Sequence, residues 1–67
     1  MSVAKVTEIT ASSTVSFEDA IRNGIARADK TLNGIKSAWV AEQKVSVENG
    51  EITAWRVTMK VTFILND

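Results

Sequence analysis

The sequence predicts an α+β fold with the element order β-α-β-β, in which a single amphipathic helix covers one face of a three-stranded antiparallel sheet. Three features predict it: a first segment rich in Val, Ile and Thr, a capped segment with apolar residues at helical spacing, and an Asn-Gly dipeptide between two long alternating segments. Spacings of three and four indicate a helix, whereas alternation indicates a strand. The 67 residues have room for one domain, predicted to span 1–67.

The first strand is predicted over Val3–Thr10, where β-branched side chains fit a pleated surface. The short polar stretch Ala11–Thr14 that follows is interpreted as the connection to the helix.

The helix is predicted to begin after Ser16, whose hydroxyl is placed to accept from the amide of Asp19 as an N-cap. Asn33-Gly34 ends it, because glycine suits the left-handed position after a helix. Gly24 lies inside the helix and is interpreted as a tolerated glycine, with a close approach of the helix to a neighbouring element as the alternative. The predicted apolar stripe consists of Phe17, Ile21, Ile25, Ala28, Leu32 and Ile35.

The second and third strands are predicted over Ser37–Val47 and Ile52–Leu65. Between them, Asn49-Gly50 indicates a type I′ hairpin turn, because both central residues of that turn need positive φ. Counting outward from the turn fixes the register. The predicted cross-strand pairs are Val47–Ile52, Val45–Ala54, Gln43–Arg56, Ala41–Thr58 and Trp39–Lys60.

Period two then divides this hairpin into two faces. The helix is expected to cover the more apolar face, which also holds Glu42 as a member of a structural ion pair. The other face is too apolar for plain solvent exposure and too polar for a sealed core, which is typical of an interface or a ligand wall. Its candidate ligand-binding residues are Ser37, Trp39, Gln43 and Arg56.

The composition excludes several function classes. Eight basic residues balance eight acidic ones, so the basic footprint of a nucleic-acid-binding protein is missing. The chain has no Cys and no His, which leaves no ordinary nucleophile–base pair and predicts a protein that is not an enzyme. No apolar run is long enough to span a membrane and none resembles a secretory signal, so a cytoplasmic location is expected. A domain this small, without disulfides, is expected to be stable only as a homo-oligomer.

Short motifs in a fixed order resemble the dodecin family. They begin with Lys5-Val6-Thr7-Glu8-Ile9, continue through Ser16-Phe17-Glu18-Asp19-Ala20 and Val40-Ala41-Glu42-Gln43, and close with Trp55-Arg56-Val57-Thr58-Met59-Lys60-Val61-Thr62-Phe63. The resemblance covers almost the whole chain. It implies a hollow, spherical homododecamer of βαββ subunits. In many dodecins, pairs of flavins lie between subunits and are stored there, while other members look like calcium-binding proteins.

Two departures from the family pattern bear on the flavin site. The resemblance places the family's flavin-stacking tryptophan at Ser37 and its flavin-binding glutamine at Arg56. Ser37 has no ring to stack, and an arginine donates hydrogen bonds but accepts none. Trp39, two residues further along the same face, is interpreted either as a shifted platform, with Arg56 or Lys60 contributing donors or a cation–π contact, or as a packing residue at a subunit interface.

The predicted function is therefore a small-ligand binding and storage protein, a dodecin-like shell that sequesters riboflavin, FMN, FAD or a similar ligand between subunits. The alternative is a structural or calcium-binding assembly that has lost its flavin site. The departures at Ser37 and Arg56 favour this alternative.

Overall fold

A computed structural model describes residues 3–65, so the two residues at each end of the predicted domain 1–67 lie outside the described part. The elements are β1 (Val3–Ser13), α1 (Phe17–Leu32), β2 (Ile35–Glu48) and β3 (Glu51–Leu65). All strand pairs are antiparallel, and β3 lies between β1 and β2. The predicted α+β class, element order and sheet are confirmed. No helix within residues 3–65 is both long and apolar enough to cross a bilayer.

Strand β1 is longer than the sequence predicts. Ala11, Ser12 and Ser13 continue the ladder to β3, so the prediction of a connection over Ala11–Thr14 is wrong. A run of small polar residues is typical of a loop, but here the backbone groups of these residues form hydrogen bonds with β3. The buried Ser13 hydroxyl donates to the Asp19 carboxylate at 2.6 Å and accepts from the Val15 amide at 2.9 Å. This serine therefore fixes the path from β1 into α1.

Both predicted helix ends are confirmed. The Ser16 hydroxyl accepts from the Asp19 amide at 2.9 Å, and Asn33 and Gly34 have φ angles of 54° and 76°. The carboxylate of Asp29 accepts from the Gly34 amide at 3.1 Å and from the next amide at 3.2 Å. These bonds turn the chain directly into β2, so Ile35 is the first residue of that strand and does not belong to the helical stripe.

The core lies between α1 and the middle of the sheet, where Ala20, Val57 and Met59 are completely buried. The helix approaches β1 closely at Gly24. A Cβ added there would lie 2.8 Å from the Cβ of Ala11 and 3.0 Å from the Met59 methyl. The interpretation of Gly24 as merely tolerated is therefore wrong, because this position has no room for a side chain.

The helix covers β1 and β3 but leaves most of β2 uncovered. Val40 and Val45 point to the helix side of the sheet, yet they remain 36% and 37% exposed. The expectation that α1 also covers the apolar residues of β2 is therefore wrong for this strand. One 16-residue helix spans about 24 Å and is about 10 Å wide, so it shields two strands at most.

The β2–β3 hairpin contains the predicted turn but not the predicted continuous register. Asn49 and Gly50 have φ angles of 51° and 79°, as a type I′ turn requires. The pairs Val47–Ile52 and Trp39–Lys60 are confirmed. Between them the register is displaced by one residue, because β3 has an extra residue at Thr53 and β2 has an extra residue at Ala41. The two bulges compensate, which restores the predicted pairing at Trp39.

The turn end of the β2–β3 hairpin extends beyond the end of β1. The β1 ladder stops at the pair Ser13–Trp55, so residues 51–54 pair only with β2. Two apolar side chains of this extension, Val47 and Ile52, are 62% and 47% exposed. A two-stranded ribbon is marginally stable by itself in water. The extension therefore leaves apolar surface exposed, and burial of this surface against a packing partner would stabilise it.

Candidate functional site

The sheet face opposite α1, here called the open face, is not covered by any element of the described chain. Directly paired residues on neighbouring strands point to the same side of a sheet, so the register divides the open face into rows. From the Ile64 end toward the hairpin turn, four successive rows are Val6–Thr62–Ser37, Glu8–Lys60–Trp39, Thr10–Thr58–Glu42 and Ser12–Arg56–Lys44.

Trp39 is the largest exposed side chain of the open face, with 63% of its surface accessible. The ammonium nitrogen of Lys60 lies 5.0 Å from the centroid of its ring. This distance is within the range of a cation–π contact. Lys60 therefore holds one side of the indole near the sheet, and the exposed remainder offers an apolar surface to a flat ligand.

Ser37 occupies the adjacent row, opposite Thr62. It lies on the same face as Trp39, as predicted, and about 6–7 Å along the strand. Its hydroxyl and that of Thr62 give this part of the face hydrogen-bonding groups but no stacking surface.

Arg56 lies at the other end of the four rows, where its Nε donates to the Ser12 hydroxyl at 3.1 Å. Its partner on β2 is Lys44. The predicted pairing of Arg56 with Gln43 is therefore wrong. Within residues 3–65, the only salt bridge joins Arg22 and Glu18 on α1, so Arg56 has no carboxylate partner there.

Gln43 does not share a face with the other three predicted site residues. It pairs with the completely buried Val57 and therefore points to the helix side. The extra residue at Ala41 causes the change, because one inserted residue reverses every following side chain. The same reversal brings Glu42 to the open face, opposite Thr58, so the placement of Glu42 on the helix side is also wrong.

Sequence reasoning missed five polar residues of these four rows: Glu8 and Ser12, and in addition Thr10, Glu42 and Lys44. The motif around Glu8 and the alternation of β1 carry a weak signal for the first two. The sequence carried no signal for Lys44, because the two-residue alternation of β2, counted without the bulge, assigned this residue to the helix side.

A metal site is not assembled within one described chain. Among residues 3–65, no three carboxylates lie close enough together to hold an ion. Calcium takes six to eight oxygen ligands. A calcium site built from these residues would therefore need more than one subunit.

A second recess lies on the helix side, between β1 and α1, with a volume of about 540 Å³. Its floor is apolar and includes Ile9, Ala11 and Leu32, and its rim carries Asn23 and Arg27. It lies along the edge strand β1, where Thr10 and Ser12 also line it, and it brings none of the predicted site residues together.

Comparisons with known proteins give consistent matches. The family model described as Dodecin matches residues 3–66. The calcium dodecin of Mycobacterium tuberculosis is 33% identical over 63 residues, which cover 94% of this chain and 89% of that protein.

Two solved structures illustrate the likeness in three dimensions. A dodecin from Streptomyces davaonensis is 39% identical with a TM-score of 0.93, and the match covers 98% of this chain and 97% of that one. The calcium-chelating antigen calcium dodecin from Mycobacterium tuberculosis, described with a novel calcium-binding site, is 32% identical with a TM-score of 0.81, covering 96% and 91%.

Proposed function

The chain belongs to the dodecin family, and from this premise we propose that it forms a homododecameric shell that binds and stores a flavin between its subunits. The family consists of ligand-binding and storage proteins. Riboflavin and FMN are the leading candidate ligands. Other flat ring compounds of similar size belong to the same class of ligand.

The support for self-assembly is the apolar surface that a single subunit leaves exposed. Val40 and Val45 on the uncovered strand β2, and Val47 and Ile52 on the hairpin extension, all keep at least 36% of their surface accessible. Burial of apolar area contributes about 25 cal/mol per Å². A 67-residue chain without disulfides gains much of its stability from such contacts.

The observation that supports flavin binding is the exposed Trp39 with Lys60 on its ring. An indole of this accessibility on an uncovered sheet face provides a stacking platform. Trp39 would stack on the flavin ring, while Lys60 holds the indole and adds positive charge beside it. Ser37 and Thr62 in the adjacent row would offer hydroxyls to the polar edge of the ring.

A flavin fluorescence titration tests this proposal. Increasing amounts of the purified, assembled protein are added to riboflavin and to FMN, and emission from the flavin is followed to saturation. We expect quenching at micromolar protein that saturates at a fixed number of flavins per subunit. An emission that stays constant over this range would contradict flavin storage.

The assembly is tested independently by size-exclusion chromatography with light scattering. We expect a single particle with the mass of about twelve chains, the number that membership of the dodecin family implies, held together by the uncovered apolar area on β2 and the hairpin extension. Mutating Val47 to Glu places a charge in that area and is expected to reduce the particle mass. A folded, monodisperse parent monomer at micromolar concentration would contradict the proposed shell.

A calcium-binding assembly is the second candidate function. Its support is the loss of an aromatic ring at Ser37 together with the similarity to calcium dodecin. Because one chain does not gather three carboxylates among residues 3–65, the ion would lie between subunits, with Glu8 and Glu42 of the open face as available ligands.

Restoring the family pattern separates the two candidates. If the parent has lost flavin binding, the double variant Ser37→Trp/Arg56→Gln is expected to gain flavin quenching that the parent lacks. Calcium should then raise the melting temperature of the parent more than magnesium does. Quenching that is equally strong in parent and double variant, with no selective response to calcium, would contradict this second candidate.

A further inference from the structure

We propose that Asn49 is a modification site, at which the side-chain amide is lost without an enzyme and the hairpin turn then carries an aspartate or an isoaspartate. The Asn49-Gly50 pair is exposed and lies at the tip of the hairpin extension, beyond the end of β1. Glycine has no side chain to hinder a close approach of its backbone nitrogen to the preceding asparagine. The chain has a second such pair, Asn33-Gly34, and the fold holds the two glycine nitrogens differently.

The reaction at Asn49 consumes water and needs no oxidant or reductant. The backbone nitrogen of Gly50 forms a bond to the side-chain carbonyl carbon of Asn49 and loses its proton. The bond from that carbon to the side-chain nitrogen breaks, ammonia leaves, and a cyclic imide remains. Water then opens the imide. Cleavage at the side-chain carbonyl gives aspartate, whereas cleavage at the backbone carbonyl gives isoaspartate, in which the main chain passes through the side-chain methylene.

The Gly50 nitrogen is available for the first step. It lies between the two strands of the hairpin and belongs to neither. Within residues 3–65, its N–H donates to no turn, loop or cap carbonyl and to no side chain. A Cβ built on Gly50 would meet no atom within 4 Å. The space around the turn therefore admits the water that opens the imide.

The other pair, Asn33-Gly34, is protected by the carboxylate that ends α1. Asp29 accepts from the Gly34 amide at 3.1 Å and from the Ile35 amide at 3.2 Å. The Gly34 nitrogen must leave this acceptor before it can approach the Asn33 side chain. A hydrogen bond to a charged acceptor lowers the population of the free amide about 10- to 150-fold. The modification is therefore selective for Asn49.

The product changes both the charge and the path of the turn. Glu48 and Glu51 are direct partners on either side of it, so a carboxylate at position 49 adds a negative charge beside two others. Isoaspartate also adds a backbone atom to a type I′ turn, which needs positive φ at both central residues. A two-stranded ribbon is marginally stable by itself. The modified extension should therefore lose its turn geometry, whatever ligand the protein binds.

Peptide mapping by mass spectrometry tests the site. The assembled full-length protein is incubated for several weeks at neutral and at mildly basic pH, and conversion of each Asn-Gly peptide to its acid form is followed. We expect conversion at Asn49 to be about 10- to 150-fold faster than at Asn33, with isoaspartate among the products. Higher pH should accelerate it, because the attacking nitrogen must lose its proton. In urea, where the Asp29 contacts are lost, the two pairs should react at similar rates.

Two variants serve as controls. Asp29→Ala releases the Gly34 amide and should bring the Asn33 rate close to that of Asn49. Asn49→Gly keeps a residue that accepts positive φ but cannot react, so its melting temperature should stay constant during an incubation that lowers that of the parent. Equal rates at Asn33 and Asn49 in the folded parent overturn the proposal. It is equally overturned if Asn49 stays intact in the assembled protein and reacts only in urea, because the assembly would then protect the turn.

Discussion

Replacing Gly24 by alanine is expected to lower the melting temperature, although alanine is the better helix former. The added Cβ would lie 2.8 Å from the Cβ of Ala11, which belongs to a paired strand and moves only with its backbone. Overpacking of this kind costs about 1–3 kcal/mol, whereas the gain in helix propensity is about 1 kcal/mol. We expect a net loss of up to about 2 kcal/mol, or several degrees in Tm, measured by calorimetry.

The variant Ala11→Gly provides the matched control. Alone it weakens β1, because glycine in a strand costs about 0.5–1 kcal/mol. Combined with Gly24→Ala, it removes the atom that the new methyl meets. The double variant should therefore lose less stability than the two single variants lose together. Equal or higher stability of Gly24→Ala relative to the parent would show that helix and strand have room to separate at this point.

The parts of the fold that depend on neighbouring residues could be predicted from the sequence. Ser16 caps α1 and Asn49-Gly50 forms the hairpin turn, because each needs only a local φ angle or one hydrogen bond to a residue three positions away. The helix stop at Asn33-Gly34 has the same local origin. These signals fix where elements begin and end.

The bulges could not be predicted, and they determine the composition of the candidate site. Neither Thr53 nor Ala41 is a glycine or another residue type that marks a bulge in sequence, and a bulge arises from the fit of a whole strand to its partner. Because the two insertions compensate, Trp39 keeps its predicted partner, whereas Gln43 leaves the open face and Lys44 joins it. A periodicity argument is therefore reliable on either side of such a segment and inverted within it.

The sequence also could not predict which strands of the sheet the helix covers. An apolar stripe indicates that α1 packs on the sheet but not on which strands. With β3 in the centre, the helix covers β1 and β3 and leaves β2 exposed. The close approach at Gly24 follows from the same geometry. It could not be predicted, because a helical glycine looks the same in sequence whether or not the position has room for a side chain.

Replacing Trp39 by alanine is expected to have the largest effect on flavin binding. Stacking of a flat heterocycle on an aromatic side chain contributes about 1–3 kcal/mol, so the flavin Kd should rise about 5- to 150-fold. The ring is 63% exposed, so its removal leaves the subunit core unchanged. Emission is followed from the flavin rather than from tryptophan, which keeps the readout the same in parent and variant.

Two further variants separate stacking from packing at a subunit interface. Trp39→Phe keeps an aromatic ring and should retain most of the binding, whereas Lys60→Met removes the cation 5.0 Å from the ring and should weaken binding by a smaller factor, since such contacts contribute about 0.5–1 kcal/mol at exposed sites. All three variants should keep the parent's particle mass by light scattering. If Trp39→Ala binds flavin as tightly as the parent, Trp39 is not the platform. If it loses mass and flavin together, the indole acts first as a contact between subunits, and the flavin would then be held only where two copies meet.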